Sequence, residues 1–196
     1  MQPTLEQVLT WTTEAAQIAL KMQTEQLEMH YKAAFELVTE ADAAVEKYLL
    51  EQIQTAFPHH SINAEESGEQ ERDSDHKWYI DPIDGTLNYA HGFPFYAVSV
   101  AYAYKGELQL GVICNPAGHE TYWAAKGQGA RLNGKPIQVS STKTMQDSLL
   151  ITGFRKFLID TPRSNLNNFI RLSREVQTVR RLGSAALDLA YVACGR

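Results

Sequence analysis

The sequence has little cysteine, with only Cys114 and Cys194 among its 196 residues. Two cysteines without C-x-x-C spacing exclude a disulfide framework and a zinc cluster, so we expect small buried thiols. An apolar stretch of about 18 residues, the length of a membrane-spanning helix, is also missing, as are the basic and apolar regions of a signal peptide. These absences predict a cytoplasmic protein that does not bind a membrane.

Positive charge is scarce as well. The 18 Lys and Arg residues are outnumbered by 23 Asp and Glu residues, which gives a net charge of -5. No basic run is long enough to follow a nucleic-acid backbone, so nucleic acid is not an expected partner. What is present is ordinary for a globular chain, with 44% hydrophobic and 21% charged residues, and this composition predicts a sizeable core.

Two segments near the N-terminus have the spacing of amphipathic helices. Thr4 with Gln7 and Thr39 with Asp42 resemble capping boxes, and apolar residues at helical spacing follow each pair. Pro58 ends the second run, because a proline cannot continue a helix. Both helices need an apolar surface to pack against.

The rest of the chain predicts a sheet and then alternating elements. Between Phe95 and Ile137, apolar and polar residues alternate and turn residues recur, which is typical of an antiparallel meander. The pattern further along the chain predicts a strand at Leu149–Thr152, a helix at Asn165–Val176, a strand at Val179–Leu182 and a helix from Ser184 toward Cys194. We therefore expect a layered mixed architecture.

The strongest chemical signal is an apolar strand that runs directly into two carboxylates, Asp81 and Asp84. Pro82 holds Asp81 extended, and Gly85 permits a tight bend that brings main-chain N–H groups and the Thr86 hydroxyl close to an anion. Carboxylates that converge in this way suit Mg²⁺. In isolation, D-x-x-D-G is equally consistent with a surface turn, and the acidic pair Glu65–Glu66 alone is more typical of a solvated face.

The run from Asp81 to Tyr89, D-P-I-D-G-T-L-N-Y, followed by Gly92-Phe93-Pro94, resembles the signature of the inositol monophosphatase family. Similar segments cover nearly the whole chain: Thr39–Asp42, Ala64–Ser67, Lys126–Ala130, Leu132–Gly134 and Arg181–Leu187. The resemblance implies an α+β, mixed αβαβα layered sandwich of the sugar-phosphatase type. Residues 1–146 would form the N-terminal helices and the sheet that carries the metal site, and residues 147–196 the start of an incomplete C-terminal α/β part.

The resemblance also implies a Mg²⁺-dependent, lithium-sensitive hydrolase of small phosphate monoesters, homodimeric in its complete form. Its substrate would be inositol monophosphate or a related polyol or sugar phosphate, which a metal-activated water attacks. A sugar bisphosphatase and a phosphoadenosine phosphatase are the alternative enzymes. Two further alternatives are a metal- and phosphate-binding protein without turnover and an inactive fragment.

The family pattern assigns roles to individual residues. Glu65, Asp81 and the Ile83 carbonyl would bind a first Mg²⁺, and Asp81 and Asp84 a second. Glu65 and Thr86 would orient the attacking water, while Asp42 accepts a hydrogen bond from the Thr86 hydroxyl. The substrate-binding residues would be Glu65, Ile83, Asp84, Gly85, Thr86, Gly183, Ser184 and Ala185.

One part of the family pattern is missing from the sequence. The W-D motif that supplies a further aspartate to the second metal site does not occur, so the resemblance implies one largely complete site, for the first of the family's two or three ions. We also expect the last helix to expose apolar residues, and we expect slow turnover.

The remaining polar and aromatic residues receive no chemistry. His59, His60, His76, His91 and His119 are predicted to lie in solvated loops. The aromatic run Tyr89, Phe93, Phe95 and Tyr96, together with Trp123, is predicted to form core packing and a pocket wall.

Overall fold

A computed structural model describes residues 1–24, 29–33, 36–154, 161–162 and 164–196. The predicted helices and strands occur in the predicted order, together with four strands before residue 71 and a short helix at 86–90 that the sequence pattern did not predict. The helices are α1 (Leu5–Gln23), α2 (Glu40–Ala56), α3 (Thr86–Ala90), α4 (Leu166–Leu172) and α5 (Ala185–Ala193). The strands are β1 (Met29–Ala33), β2 (Glu36–Thr39), β3 (Ser61–Ala64), β4 (Gly68–Gln70), β5 (His76–Asp84), β6 (Ala97–Tyr104), β7 (Glu107–Asn115), β8 (Glu120–Ala125), β9 (Gly129–Leu132), β10 (Lys135–Pro136), β11 (Leu149–Ile151) and β12 (Thr178–Arg180).

A large sheet of strand order β10-β9-β8-β7-β6-β5-β3-β4 forms the centre of the fold. Its strands β6 to β10 pair antiparallel with their chain neighbours, which confirms the predicted meander. Strand β5 continues the antiparallel order against β6 but pairs parallel with β3. Two small sheets, β1-β2 and β11-β12, stand apart from this large one.

The two faces of the large sheet bury different residues because side chains alternate along a strand. Val98, Val100 and Tyr102 of β6 belong to the main core, which helices α1 and α2 cover. Their neighbour Ala97 points to the opposite face, where a smaller cluster forms with Leu187 of α5. The active-site candidates lie where β5 ends, between these two faces.

The ends of several elements follow the predicted signals. Thr4 and Gln7 form the predicted capping box of α1, and α2 ends at Ala56, just before Pro58. Helix α4 is shorter than its predicted range of Asn165–Val176, because i→i-3 hydrogen bonds turn the chain after its last helical residue, Leu172. Strand β12 stops at Arg180 rather than Leu182, whose carbonyl accepts a hydrogen bond from the Asn88 side chain instead.

The prediction of solvated loop histidines is wrong for His60 and His76. His60 is buried, and its Nδ1 accepts a hydrogen bond from the Trp78 indole N–H at 3.1 Å. The His60 ring stacks on His76, the first residue of β5, with a centroid distance of 4.2 Å. The chain turns back after Pro58, because His60 N–H donates to the Phe57 carbonyl, and this turn carries the imidazole into the core.

The other side-chain predictions are mostly confirmed. Tyr89, Tyr96 and Phe95 are buried, but Phe93 lies exposed on the surface. Cys114 is buried, Cys194 is half-buried, and both thiols are free. Among the described residues, no helix has the length and apolar character needed to cross a bilayer. The division of the chain after residue 146 stays a prediction.

Candidate active site

A β-bulge places the two aspartates of strand β5. Asp81 pairs with Ser99 and Asp84 with Ala97, so the three steps along β5 oppose only two steps along β6. In a regular strand, residues three apart would point to opposite faces. The extra residue bends the strand and changes the direction of the following side chain. Asp84 can therefore approach Asp81, which a regular β5 would prevent.

Asp81 is surrounded by negative charge. Its Oδ1 atom is buried and has no hydrogen-bond partner among the described residues. Burial raises the pKa of the Asp81 carboxyl to about 9, and the charges of Glu65 and Asp84 contribute to the rise. A buried carboxylate oxygen without a donor is costly, and this cost is relieved when a cation lies beside it.

Glu65 comes to the site from the neighbouring strand. Strand β3 runs parallel to β5, with Ala64 paired to Ile80, so the carboxyl ends of the two strands meet. The Glu65 N–H donates to the Ile80 carbonyl at 3.1 Å, which extends the pairing by one residue. Glu65 itself is exposed, and its carboxylate is close enough to raise the pKa of Asp81.

Thr86 lies between two acceptors that both belong to the predicted site. Its hydroxyl oxygen is 3.0 Å from the Ile83 carbonyl and 3.3 Å from Asp42 Oδ1. Asp42 is fully buried, and its other oxygen accepts hydrogen bonds from the N–H and the hydroxyl of Thr39. Burial raises the pKa of the Asp42 carboxyl, although the hydrogen bonds from Thr39 oppose that effect.

Gly85 is the point where the loop after β5 meets the last part of the chain. Its φ of +96° lies in the left-handed region that favours glycine. A Cβ atom there would lie 3.2 Å from the carbonyl oxygens of Gly183 and Phe95, and 3.3 Å from Ser184 Cβ. A residue without a side chain is therefore needed for this close approach.

The N-terminus of α5 holds Asp84. The Ser184 hydroxyl donates to Asp84 Oδ2 at 2.5 Å, and the N–H groups of Ala185 and Ala186 donate to the same carboxylate at 3.2 and 2.6 Å. Ser184 also accepts a hydrogen bond from Leu187 N–H and so caps the helix. Of the residues predicted near the polyol, Ser184 and Ala185 thus already contact a proposed metal ligand. Gly183 lies beside them against Asn88.

Three polar residues of this region were missed in the sequence. Glu46 is buried and accepts hydrogen bonds from Glu66 and Ser67. Asn88 donates to the carbonyls of Phe95 and Leu182 at 2.7 Å each and so connects two distant loops. Glu46 follows Asp42 by one helical turn, and this i,i+4 spacing was the available signal.

Asp188, the third residue that was missed, lies in the first turn of α5. Its Oδ1 is buried and lacks a partner among the described residues. Burial, aided by the charge of Asp84, raises the pKa of its carboxyl to about 6. Asp188 and Asp84 both line a cavity of about 620 Å³, which is large enough for a small phosphorylated molecule.

The donor atoms suit a hard cation. Within the described ranges, no three His, Cys, Asp or Glu side chains are already arranged to hold a metal ion. Both oxygens of Asp84 accept hydrogen bonds from the start of α5. Asp81 Oδ1, the nearby carboxylates and the Ile83 carbonyl nevertheless all offer oxygen ligands, which Mg²⁺ prefers to nitrogen or sulfur.

Comparison with known proteins places this arrangement in a family. The chain is 39% identical to the Nus factor SuhB of Pseudomonas aeruginosa, over all of its own length and 75% of that protein. It is 46% identical to the inositol-1-monophosphatase of Synechocystis sp., over 83% of the chain and 57% of that protein. The chain thus spans between 57% and 75% of the length of these two relatives.

Solved structures show the same fold. The match to the extragenic suppressor protein suhB of Bartonella henselae covers 98% of this chain and 75% of the suhB chain, with a TM-score of 0.90 and 34% sequence identity. The match to an IMPase/NADP phosphatase complexed with Mg²⁺ and phosphate covers 96% of this chain and 70% of the phosphatase chain, with a TM-score of 0.81 and 25% sequence identity. The predicted layered mixed architecture is confirmed.

The model of the inositol monophosphatase family matches residues 1–196. The chain therefore belongs to the inositol monophosphatase family, whose members include phosphoric monoester hydrolases.

Proposed function

We propose that this protein hydrolyses a small phosphate monoester with the help of Mg²⁺, and that inositol monophosphate or a related polyol or sugar phosphate is the substrate. The observation that carries the proposal is the Oδ1 atom of Asp81, which is buried among carboxylates and has no hydrogen-bond partner within the described part of the chain. Family membership supports it, as does the similar phosphatase that was crystallised with Mg²⁺ and phosphate.

Glu65, Asp81 and the Ile83 carbonyl would hold one Mg²⁺, and Asp81 and Asp84 a second. Bound Mg²⁺ would supply positive charge that binds the phosphate, activates a water molecule and stabilises the leaving oxygen. The Ile83 carbonyl can serve two partners, because it has two lone pairs and the Thr86 hydroxyl occupies one. An all-oxygen site of this kind agrees with the preference of Mg²⁺.

The protein's own groups would orient the water and receive its proton. Glu65 follows β3 and Thr86 follows β5, so both come from the carboxyl ends of the same pair of parallel strands. Asp42 is hydrogen-bonded to Thr39 and faces the Thr86 hydroxyl, so it could receive the hydroxyl's own proton when Thr86 takes one from the water. The buried position of Asp42 keeps this pair out of bulk water, where competing hydrogen bonds would weaken it.

The phosphate group and the organic part of the substrate would occupy different places. Main-chain N–H groups of Gly85 and Thr86 would bind the phosphate oxygens where the chain bends sharply. Gly183, Ser184 and Ala185 would border the organic part, beside the cavity that Asp84 and Asp188 line. A homodimer and a cytoplasmic location stay predictions.

A second candidate function is binding of Mg²⁺ and phosphate without turnover. The three hydrogen bonds from Ser184, Ala185 and Ala186 to Asp84 favour it, because they occupy the carboxylate that the second ion needs. The two candidates differ in a direct way. An enzyme releases phosphate in many turnovers, whereas a binding protein retains phosphate with Mg²⁺ and leaves a monoester intact.

The test is phosphate release from inositol monophosphate, a sugar bisphosphate and a phosphoadenosine phosphate at saturating Mg²⁺. Asp84→Asn is expected to lower the rate on the best substrate about 10²–10³-fold, because a neutral amide cannot balance a second ion. Asp73→Asn, which changes the same charge on the exposed surface, is the matched control. A rate for Asp84→Asn within a few fold of the unmodified protein would remove Asp84 from the site. Mg²⁺-dependent phosphate binding without release would favour the second candidate.

A further inference from the structure

Glu46 is a buried carboxylate that the proposed mechanism leaves without a role. Its side chain projects from the middle of α2, and the residue is only 3% exposed. Oε2 accepts a hydrogen bond from Glu66 N–H and Oε1 accepts one from Ser67 N–H, both at 2.8 Å. Among the ion pairs formed by the described residues, none includes Glu46. Two backbone N–H groups therefore provide the main compensation for this buried charge.

The turn that contains Glu66 and Ser67 does not require a buried carboxylate to close it. The turn connects β3 to β4, and the hairpin is already closed by the pairing of Ala64 with Gly68. Gly68, with φ of +77°, supplies the left-handed conformation that the turn needs. Water could satisfy the two turn N–H groups at little cost, whereas removing a carboxylate from water is costly. Glu46 is therefore better explained as a residue that selects one geometry of the turn.

That geometry matters because Glu65 is the first residue of the turn. On one side, the Glu65 N–H is fixed to the Ile80 carbonyl of β5. On the other side, the next two N–H groups are fixed to Glu46. The backbone of Glu65 is thus held at both ends, and its exposed side chain leaves from the end of β3 that lies beside Ile80 and Asp81 of β5.

We propose that Glu46 is a positioning residue, which fixes the turn at Glu65–Ser67 so that the Glu65 carboxylate faces the Mg²⁺ site. The proposal rests on the proposed metal-binding function. It also gives helix α2 a double role, because Asp42 and Glu46 are one turn apart on the same side of the helix. Asp42 contacts Thr86 after β5, and Glu46 contacts the turn after β3.

The test is Mg²⁺ binding to the full chain, measured by titration calorimetry at a temperature well below thermal unfolding. Glu46→Gln keeps the size of the side chain but replaces one acceptor oxygen with an amide that faces a turn N–H. We expect it to raise the dissociation constant for Mg²⁺ about 10-fold, in the range known for residues that orient metal ligands. Glu51→Gln, an exposed glutamate on the same helix, is the matched control and should leave that constant unchanged.

Thermal unfolding without Mg²⁺ separates positioning from stability. A residue with only a structural role would lower the melting temperature in Glu46→Gln and leave the Mg²⁺ affinity of the folded protein within two-fold, and this result would overturn the proposal. If Glu46→Gln does not fold, Glu46→Asp, which keeps the charge but is one methylene shorter, replaces it and is read by the same criterion.

An additional arm with Asp81→Asn distinguishes this proposal from the proposed function. If the unmodified chain binds no Mg²⁺, or Asp81→Asn binds it equally well, the metal site itself is wrong and the role of Glu46 fails with it. If Asp81→Asn loses binding while Glu46→Gln keeps the normal affinity, only the positioning role is overturned.

Discussion

The two faces of the large sheet are covered to very different degrees. On one face, α1 and α2 enclose a core in which Leu49 and Trp78 are fully buried. On the other face, α5 buries Leu187 but leaves Leu189 70% and Val192 56% exposed. The site lies at the border between the two faces. Helix α2 of the first face carries Asp42, and the N-terminus of α5 on the second face donates hydrogen bonds to Asp84. Half of the site is therefore supported by a complete core, and half by a helix with one open side.

The largest expected difference between the faces is in stability. Leu49→Ala should lower the free energy of unfolding by about 3 kcal/mol, because it leaves a cavity in a closed core. Leu189→Ala removes the same atoms from an exposed helix position and should cost under about 0.5 kcal/mol. Urea denaturation of both variants measures the comparison. Equal losses would show that α5 is covered in solution.

The pH dependence of stability extends this comparison, because the first face contains a buried histidine, His60. Burial, with a contribution from His76, lowers the pKa of His60 to about 4, whereas a histidine in an unfolded chain has its ordinary pKa of about 6.5. Below pH 6.5 the unfolded chain therefore binds a proton that the folded chain excludes. The free energy of unfolding should therefore fall as the pH decreases from about 6.5 to about 4, and the loss should be about 2 kcal/mol at pH 5.

Replacement of His60 checks this assignment. Urea denaturation at pH 8 and pH 5 should give a clearly smaller difference for His60→Gln than for the unmodified protein. His59→Gln, which changes the exposed neighbour, is the control and should keep the full difference. An unchanged difference in His60→Gln would assign the acid sensitivity to other groups.

The smallest expected effect concerns the junction between the two faces. Gly85→Ala and Gly92→Ala both place a side chain at positive φ, but only at Gly85 would the new atom approach other groups closely. Gly85→Ala should therefore cost about 1 kcal/mol more than Gly92→Ala. Thermal or urea unfolding of the two variants gives this difference. Equal costs would mean that the loop of Gly183 moves away easily.

The elements that local pattern determines were predictable. Thr4 and Gln7 define the start of α1, and the alternation after Phe95 defines the meander, because neighbouring residues alone fix these features. The helix that contains Asn165 was predicted too long, since its apolar pattern continues into residues that form turns. The roles of the candidate site residues were predicted from the family resemblance, and the structure brings two of these residues, Asp42 and Thr86, within hydrogen-bonding distance.

Contacts between distant residues could not be predicted in the same way. The bond between Ser184 and Asp84 joins residues 100 positions apart, and no local pattern encodes it. The bulge at Asp81 depends on the partner strand, which the sequence of β5 alone does not specify. His60 was assigned to a loop because a turn follows Pro58, but burial of its imidazole depends on the position of Trp78.

The most direct test of the account is Mg²⁺ binding to the unmodified chain and to Asp81→Asn, combined with their thermal unfolding in the absence of metal. If the buried Oδ1 of Asp81 is a cation ligand, Asp81→Asn should lose Mg²⁺ binding. Its metal-free form should unfold at the same or a higher temperature, because an amide is uncharged in any case, whereas the Asp81 carboxyl, with its pKa raised to about 9, must bind a proton to lose its charge beside Glu65 and Asp84. Normal Mg²⁺ affinity together with a lower melting temperature in Asp81→Asn would contradict the account, since it would make Asp81 a structural residue.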